Sequence, residues 1–191
     1  MDVICVWSYL GYNRLAGAVS RYREEGGEVT ISFRPYQLAP DLPSRGEPVL
    51  DVLRKRFGEG AVAETDRTVE IAAEEGVELR YDRAVAANTF EAHRLIALAS
   101  RQGLGEPMAE RLFRAHFEDG VNVAAPDALS ELATEIGVTG ASVPADEVRA
   151  DLDEVKRSGV TGVPVFRFDG GRTLAGFQST ETLLDTLRES G

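Results

Sequence analysis

The sequence predicts an α/β fold in which a long all-helical block is inserted into a smaller mixed core. Three observations predict it. A short apolar approach ends at Cys5 and gives way at once to helical spacing. From Val49 to about Gly159 the chain carries helix signals only, and from Val163 onward it reads strand, turn, strand, helix. The division that follows is a core of residues 1–40 and 160–191, with a helical insertion over 41–159.

Each element has its local reason. Asp2-Val3-Ile4-Cys5 reads as the end of an extended segment, and Tyr9–Val19 as a helix with Leu15 and Val19 one turn apart. After the Gly26-Gly27 break, Glu28–Phe33 alternates, with Val29, Ile31 and Phe33 on one face, which predicts a strand. Ala39–Pro48 holds three prolines and reads as an exposed connection. Val49–Phe57 and Ala61–Glu75 are the first helices of the insertion, the second stopping at Gly76. Asn88-Thr89-Phe90-Glu91 has the form of a capping box, Asn88 capping and Glu91 reaching back. It opens a helix whose stripe is Ala92, Leu95, Ile96 and Ala99. Further helices start near Glu106, Pro126 and Pro144, the last two with proline in the first turn. Gly103, Gly120, Gly137 and Gly159 supply stops. Val163–Phe168, Asp169-Gly170-Gly171 and Arg172–Gly176 form a hairpin. Ser179 or Thr180 then caps a helix carrying Leu183, Leu184 and Leu187.

Composition narrows the function. The 191 residues are 43% hydrophobic, enough for a sizeable core. No 18-residue apolar run marks a membrane span, and the first residues lack the basic start and apolar block of a signal peptide. A single cysteine rules out a disulfide framework and makes a reducing cytoplasm the natural compartment. The net charge of −11 disfavours nucleic acid and anionic membrane as partners. Two histidines far apart and one cysteine make no metal site.

Cys5 is the chemical centre of interest. A free cysteine is often an inert buried hydrophobe, whereas a thiol at a helix start gains acidity from the unpaired N–H groups there. Its placement predicts titration below about 7.5. Ser8, three residues on, shares its side of the first turn, where the hydroxyl suits either a thiolate or ordinary helix-start chemistry. Trp7 is either part of an exposed rim that meets substrate or a buried pin of the helix start. His93 lies one position off its helix stripe, placing it over a groove as a proton relay or leaving it a satisfied structural residue. His116 reads as surface or partly packed.

The tetrapeptide Cys5-Val6-Trp7-Ser8, set in this element order, resembles the active-site frame of the DsbA-like branch of the thioredoxin superfamily. Further stretches resemble its cytoplasmic FrnE-type dithiol-disulfide oxidoreductases. They are Asp2–Gly11, Phe33–Leu38, Asn88-Thr89 with Ala92–Leu95, Leu112–Ala115 and Gly162–Phe166. The resemblance implies a thioredoxin fold with the helical block between its βαβ and ββα halves. It also implies a cis-proline at Pro164 facing the sulfur, with Val163 offering backbone groups to an extended substrate. By the matching segment, Asn88 and His93 belong to the substrate side.

Two departures stand out. Val6 replaces the family's proline and Ser8 its second cysteine, so an internal disulfide cannot form. What survives is single-thiol work: disulfide shuffling, or reduction completed by an external thiol such as glutathione, with no bound cofactor. The partner is then a thiol or disulfide, peptide or small molecule, and a homodimer stays open. Only four residues precede Cys5, where the family opens with a full central strand. The expectation is a truncated start, the alternative a stunted strand at Met1–Ile4 with unpaired backbone beside it.

Two other readings stay open. Kappa-class glutathione transferases and 2-hydroxychromene-2-carboxylate isomerases are similar around the first helix and carry Ser-Pro-Tyr-Ser at this place. The third reading is a redox-inactive binding module that keeps the fold and has lost turnover.

Overall fold

The computed structural model describes residues 1–191. Helix α1 (Val6–Glu24) lies along the last helix, α8 (Thr180–Ser190), and between them Ala18, Val19, Leu183, Leu184 and Leu187 make one apolar cluster. Ser179 Oγ caps α8 by accepting from the Thr182 N–H at 3.1 Å. The helical block contains α2 (Val49–Phe57), α3 (Glu59–Glu74), α4 (Phe90–Ser100) and α5 (Gly105–Arg114). A π-helical turn (Ala115–Asp119), α6 (Pro126–Ile136) and α7 (Ala145–Arg157) complete it.

The largest core sits where α4, α5 and α6 meet: Ala92, Leu95, Ile96 and Ala99 pack on Met108, Leu112, Leu129 and Leu132. These are the stripe positions that the 3.6-residue period puts on one face. Val3 joins this cluster, so the first residues are anchored in the helical block. A second core, Tyr9, Leu10 and Tyr12 with Ala72, Val77, Leu79, Phe113 and Phe117, glues α1 to the same block.

Sheet structure is sparse. Strand β1 (Glu47–Pro48), at the end of the stretch predicted as an exposed connection, pairs antiparallel with β2 (Val85–Ala86). Strand β3 (Val165–Arg167) pairs with β4 (Thr173–Ala175) in the register Val165↔Ala175, Phe166↔Leu174 and Arg167↔Thr173. A 3-10 turn over Asp169–Gly171 joins them, with Gly170 and Gly171 at φ of 83° and 88°, where only glycine sits without strain.

Three expectations are corrected. Residues 28–33 alternate in exposure as predicted, yet they form no strand, because no neighbouring backbone completes a ladder. Asp2–Cys5 is a tight turn and not an extended approach, closed by the Cys5 N–H on Asp2 O at 3.1 Å. The first residues cross to residues 34–36 instead, through the Met1 amine on Arg34 O and the Tyr36 N–H on Met1 O, both at 3.0 Å. The capping box is also replaced. Asn88 Oδ1 accepts from the Phe90 N–H at 2.9 Å, and Glu91 turns outward to Arg94. No helix is long and apolar enough to cross a membrane.

Candidate active site

Cys5 is the N-cap residue of α1, with φ −95° and ψ 111°, so its side chain stands at the helix mouth. The Val163–Pro164 peptide is cis. It brings Val163 O to 3.6 Å from Cys5 Sγ, a distance at which the thiol S–H donates to the carbonyl. Gly11 makes this approach feasible. A Cβ there would stand 3.1 Å from Phe166 Cζ and 3.3 Å from Pro164 Cγ, so a bare helix face lets the proline close on α1.

The thiol is not the exposed group that its helix position predicts. Cys5 is 5% exposed, and burial pushes its pKa up. The Ser8 hydroxyl and the Ser8 and Trp7 backbone N–H groups oppose that shift without overcoming it. The predicted titration below 7.5 is therefore overturned: desolvation outweighs the helix terminus. The sulfur does meet one polar group, the Val163 carbonyl at 3.6 Å. Ser8 is 2% exposed, and its Oγ has no hydrogen-bond partner in the resting chain. An orphan hydroxyl one turn from the sulfur is placed to donate to a thiolate once one forms.

Trp7 is half-buried, its ring 5.4 Å from Phe177 at a tilt of 44°. The guanidinium of Arg14 lies 3.9 Å from the Phe177 ring centre and is held by Glu75 at 2.5 Å. Trp7, Phe177 and Arg14 thus stack in series, starting two residues from Cys5. Sequence reasoning passed over Phe177 and Arg14, which carry no local motif.

Asn88 and His93 are placed elsewhere than over the groove. Asn88 Nδ2 donates to Pro40 O at 2.7 Å, and its Oδ1 accepts from Gln37 Nε2 at 3.1 Å. His93 is 3% exposed, with Nε2 2.9 Å from Tyr36 O and 3.4 Å from Asp2 Oδ1. Both residues hold the 36–40 segment against α4, and His93 also meets the start of the chain at Asp2. His93 thus reaches Cys5 only through Asp2, whose main-chain carbonyl receives the Cys5 N–H. Asp2 itself went unnoticed in the sequence. It is fully buried, with Oδ2 accepting from the Leu38 N–H at 2.7 Å and Oδ1 making no hydrogen bond, 3.4 Å from His93 Nε2. An acid among Val3, Ile4 and Cys5 was the available signal, because aspartate is rarely buried without a partner. His116, read as surface or partly packed, is fully buried with both ring nitrogens unpartnered, and burial lowers its pKa to about 4.

A DSBA-like thioredoxin domain model matches residues 1–188. The chain belongs to the DsbA-like thioredoxin domain family. A probable DsbA oxidoreductase of Streptomyces coelicolor superposes on this DsbA-like chain with a TM-score of 0.82 at 30% identity, covering 100% of it and 87% of that chain. The cytosolic disulfide reductase DsbM of Pseudomonas aeruginosa, solved with GSH, shares the fold at a TM-score of 0.64 and 22% identity, over 98% of this chain and 93% of its own. An uncharacterised protein of Bacillus subtilis, YwbO, is 23% identical over 176 residues, 86% of this chain and 82% of its own. The DsbA-like thioredoxin fold accounts for the pairing of α1 with the β3–β4 hairpin and for the helical block between them.

Proposed function

We propose that this DsbA-like protein is a single-thiol disulfide oxidoreductase of the FrnE-type branch, working through Cys5 in a reducing compartment. The observation that carries the reading is the 3.6 Å approach of Cys5 Sγ to Val163 O beside the Val163–Pro164 turn, at the start of α1. That arrangement puts one sulfur next to a backbone edge on which an extended substrate can lie.

The chemistry follows from having one thiol. Cys5 loses its proton to solvent, and the thiolate attacks one sulfur of a substrate disulfide, taking up the Ser8 O–H as a hydrogen bond. A Cys5–substrate disulfide forms, the substrate S–S bond breaks, and the departing thiolate takes a proton. Ser8 has no sulfur with which to resolve this adduct. A second, external thiol such as glutathione therefore attacks it and releases Cys5. With a glutathione mixed disulfide as substrate, the sum is one protein or small-molecule thiol freed and one oxidised glutathione made. Trp7 and Phe177 give apolar contact to the arriving substrate, and Val163 gives its main chain.

The test supplies a glutathione mixed disulfide with glutathione, and in parallel an electrophilic aromatic substrate with glutathione, to wild type and Cys5→Ser. Turnover of the disulfide that vanishes in Cys5→Ser is the expected result. Conjugation that survives Cys5→Ser points to the transferase reading instead. Silence in both assays leaves a binding module.

A further inference from the structure

Arg14 differs from the other ion-paired arginines in its surroundings. Its Nε and Nη2 both donate to Glu75 Oε1, at 2.8 and 2.5 Å, and the two side chains are 22% and 21% exposed. In every other arginine–carboxylate pair at least one side chain is more than a quarter exposed, where such a contact is worth little. Glu75 caps the end of α3, so the pair joins the helical block to α1. The third donor, Nη1, reaches Gln178 O at 3.2 Å. All three bonds lie at the edge of the guanidinium and leave its flat face to Phe177, whose ring centre is 3.9 Å away. Arg14 therefore holds the turn of residues 176–179 between β4 and α8 twice, by a ring and by the next carbonyl.

That turn is tied to the sulfur from both ends. The Gly176 N–H donates to Pro164 O at 2.8 Å, and Val163 O, one residue earlier, meets Cys5 Sγ at 3.6 Å. From the other end the Phe177 ring packs on Trp7, whose main-chain N–H lies beside the same sulfur. The contacts close a circuit: Cys5, Val163–Pro164, Gly176–Phe177, Trp7 and back to Cys5. Phe177 is the one aromatic ring that Trp7 meets, and Arg14 the one cation over Phe177.

We propose that Arg14, held by Glu75, is a positioning residue that fixes the Phe177–Trp7 pair and so makes the Cys5 site prefer a disulfide flanked by an apolar side chain. The preference rests on the proposed single-thiol reaction only in that the substrate sulfur lies at Cys5. Trp7 and Phe177 are half-buried, so each keeps surface that an incoming side chain can cover. Large flat rings add affinity when they are ordered before the ligand arrives, because less freedom is then lost on binding. Glu75 cancels the charge of Arg14, so the clasp supplies order without drawing ionic groups to the rim.

The experiment titrates two probes into the Cys5→Ser protein, the glutathione mixed disulfides of acetyl-Cys-Phe-amide and acetyl-Cys-Gly-amide. No thiol attacks there, so the outcome is separate from the turnover that tests the proposed reaction. Binding is read from the emission of Trp7, the one tryptophan in the chain. Cys5→Ser should bind the phenylalanine probe about fivefold tighter than the glycine probe, the worth of one aromatic contact. Adding Arg14→Met should erase that difference by weakening the phenylalanine probe alone, and should shift the emission of the free protein to the red. Arg14→Lys keeps a cation without the planar fork and should fall between the two. Glu75→Gln loosens the clasp without touching Phe177, should cut the preference in the same direction, and carries the comparison if Arg14→Met does not fold. Equal binding of the two probes by Cys5→Ser, or no binding of either, would overturn the assignment. So would a preference that survives Arg14→Met and Glu75→Gln, or an equal loss of both probes in these variants, which would mark a merely structural clasp.

Discussion

At the scale of single residues, the balance at Cys5 decides the chemistry. A helix N-terminus is worth about 0.3–1 kcal/mol to a nearby negative charge, and desolvation of a thiolate costs more when the residue is 5% exposed. The Val163 carbonyl adds to this by accepting from the neutral S–H. Alkylation of Cys5 by iodoacetamide should therefore be slower than that of free cysteine at neutral pH and rise through an inflection above the ordinary thiol pKa. An inflection below it would remove burial as the controlling influence. Ser8→Cys tests the geometry of the same pair. One turn of helix separates the positions, so under mild oxidation both thiols should disappear together into an internal disulfide, read by thiol titration of monomeric protein. The position of Cys5 at a helix start was legible in the sequence because capping is local. Its burial was not, since the carbonyl that meets the sulfur comes from residue 163, far along the chain.

Elements show the same division between local and distant causes. The helices of the insertion and the β3–β4 hairpin were legible because periodicity and turn glycines are written in neighbouring residues. Residues 28–33 carry the alternation of a strand but not its partners, and alternation alone cannot supply a ladder. The β1–β2 ribbon was missed for the opposite reason: two residues on each side give no pattern to read. Gly11 couples α1 to Pro164 and offers a test at this scale. Gly11→Ala gains about 1 kcal/mol of helix propensity. Its Cβ would press on Phe166 Cζ at 3.1 Å and Pro164 Cγ at 3.3 Å. The Phe166 ring is half-buried beside open space and can yield, while the proline ring moves only with its backbone. Net stability should stay within about 1 kcal/mol of wild type in urea, since the two effects oppose. Cys5 should alkylate faster as Val163 O is pushed from the sulfur. Unchanged alkylation would mean that the carbonyl does not restrain the thiol.

For the whole molecule, buried titrating groups set the pH range of stability from both sides. His116 is depressed to about 4 by burial, and the Met1 amine to about 6 for the same cause. A depressed pKa means the unfolded chain binds the proton first, so stability present above the unfolded value is lost as pH falls through the folded one. For His116 that window runs from 6.5 down to about 4, and a shift of this size corresponds to about 3 kcal/mol. Exposed carboxylates held down by arginines, such as Asp41 beside Arg56 and Glu181 beside Arg21, act in the same direction at lower pH. Cys5 works on the alkaline side. Its raised pKa keeps full stability below the unfolded thiol value and loses it as pH rises toward the folded one. The urea midpoint should accordingly climb from pH 4, peak between the amine and thiol ranges near pH 8, and fall above it. His116→Leu isolates the largest acid contribution: it removes two unpartnered buried nitrogens and should flatten the profile between pH 4 and 6.5 by about 3 kcal/mol. It should also raise stability at neutral pH, because apolar replacement of an unsatisfied polar group relieves its desolvation. A variant whose profile keeps the wild-type slope below pH 6.5 would assign that slope to the surface carboxylates and leave His116 without a part in acid unfolding.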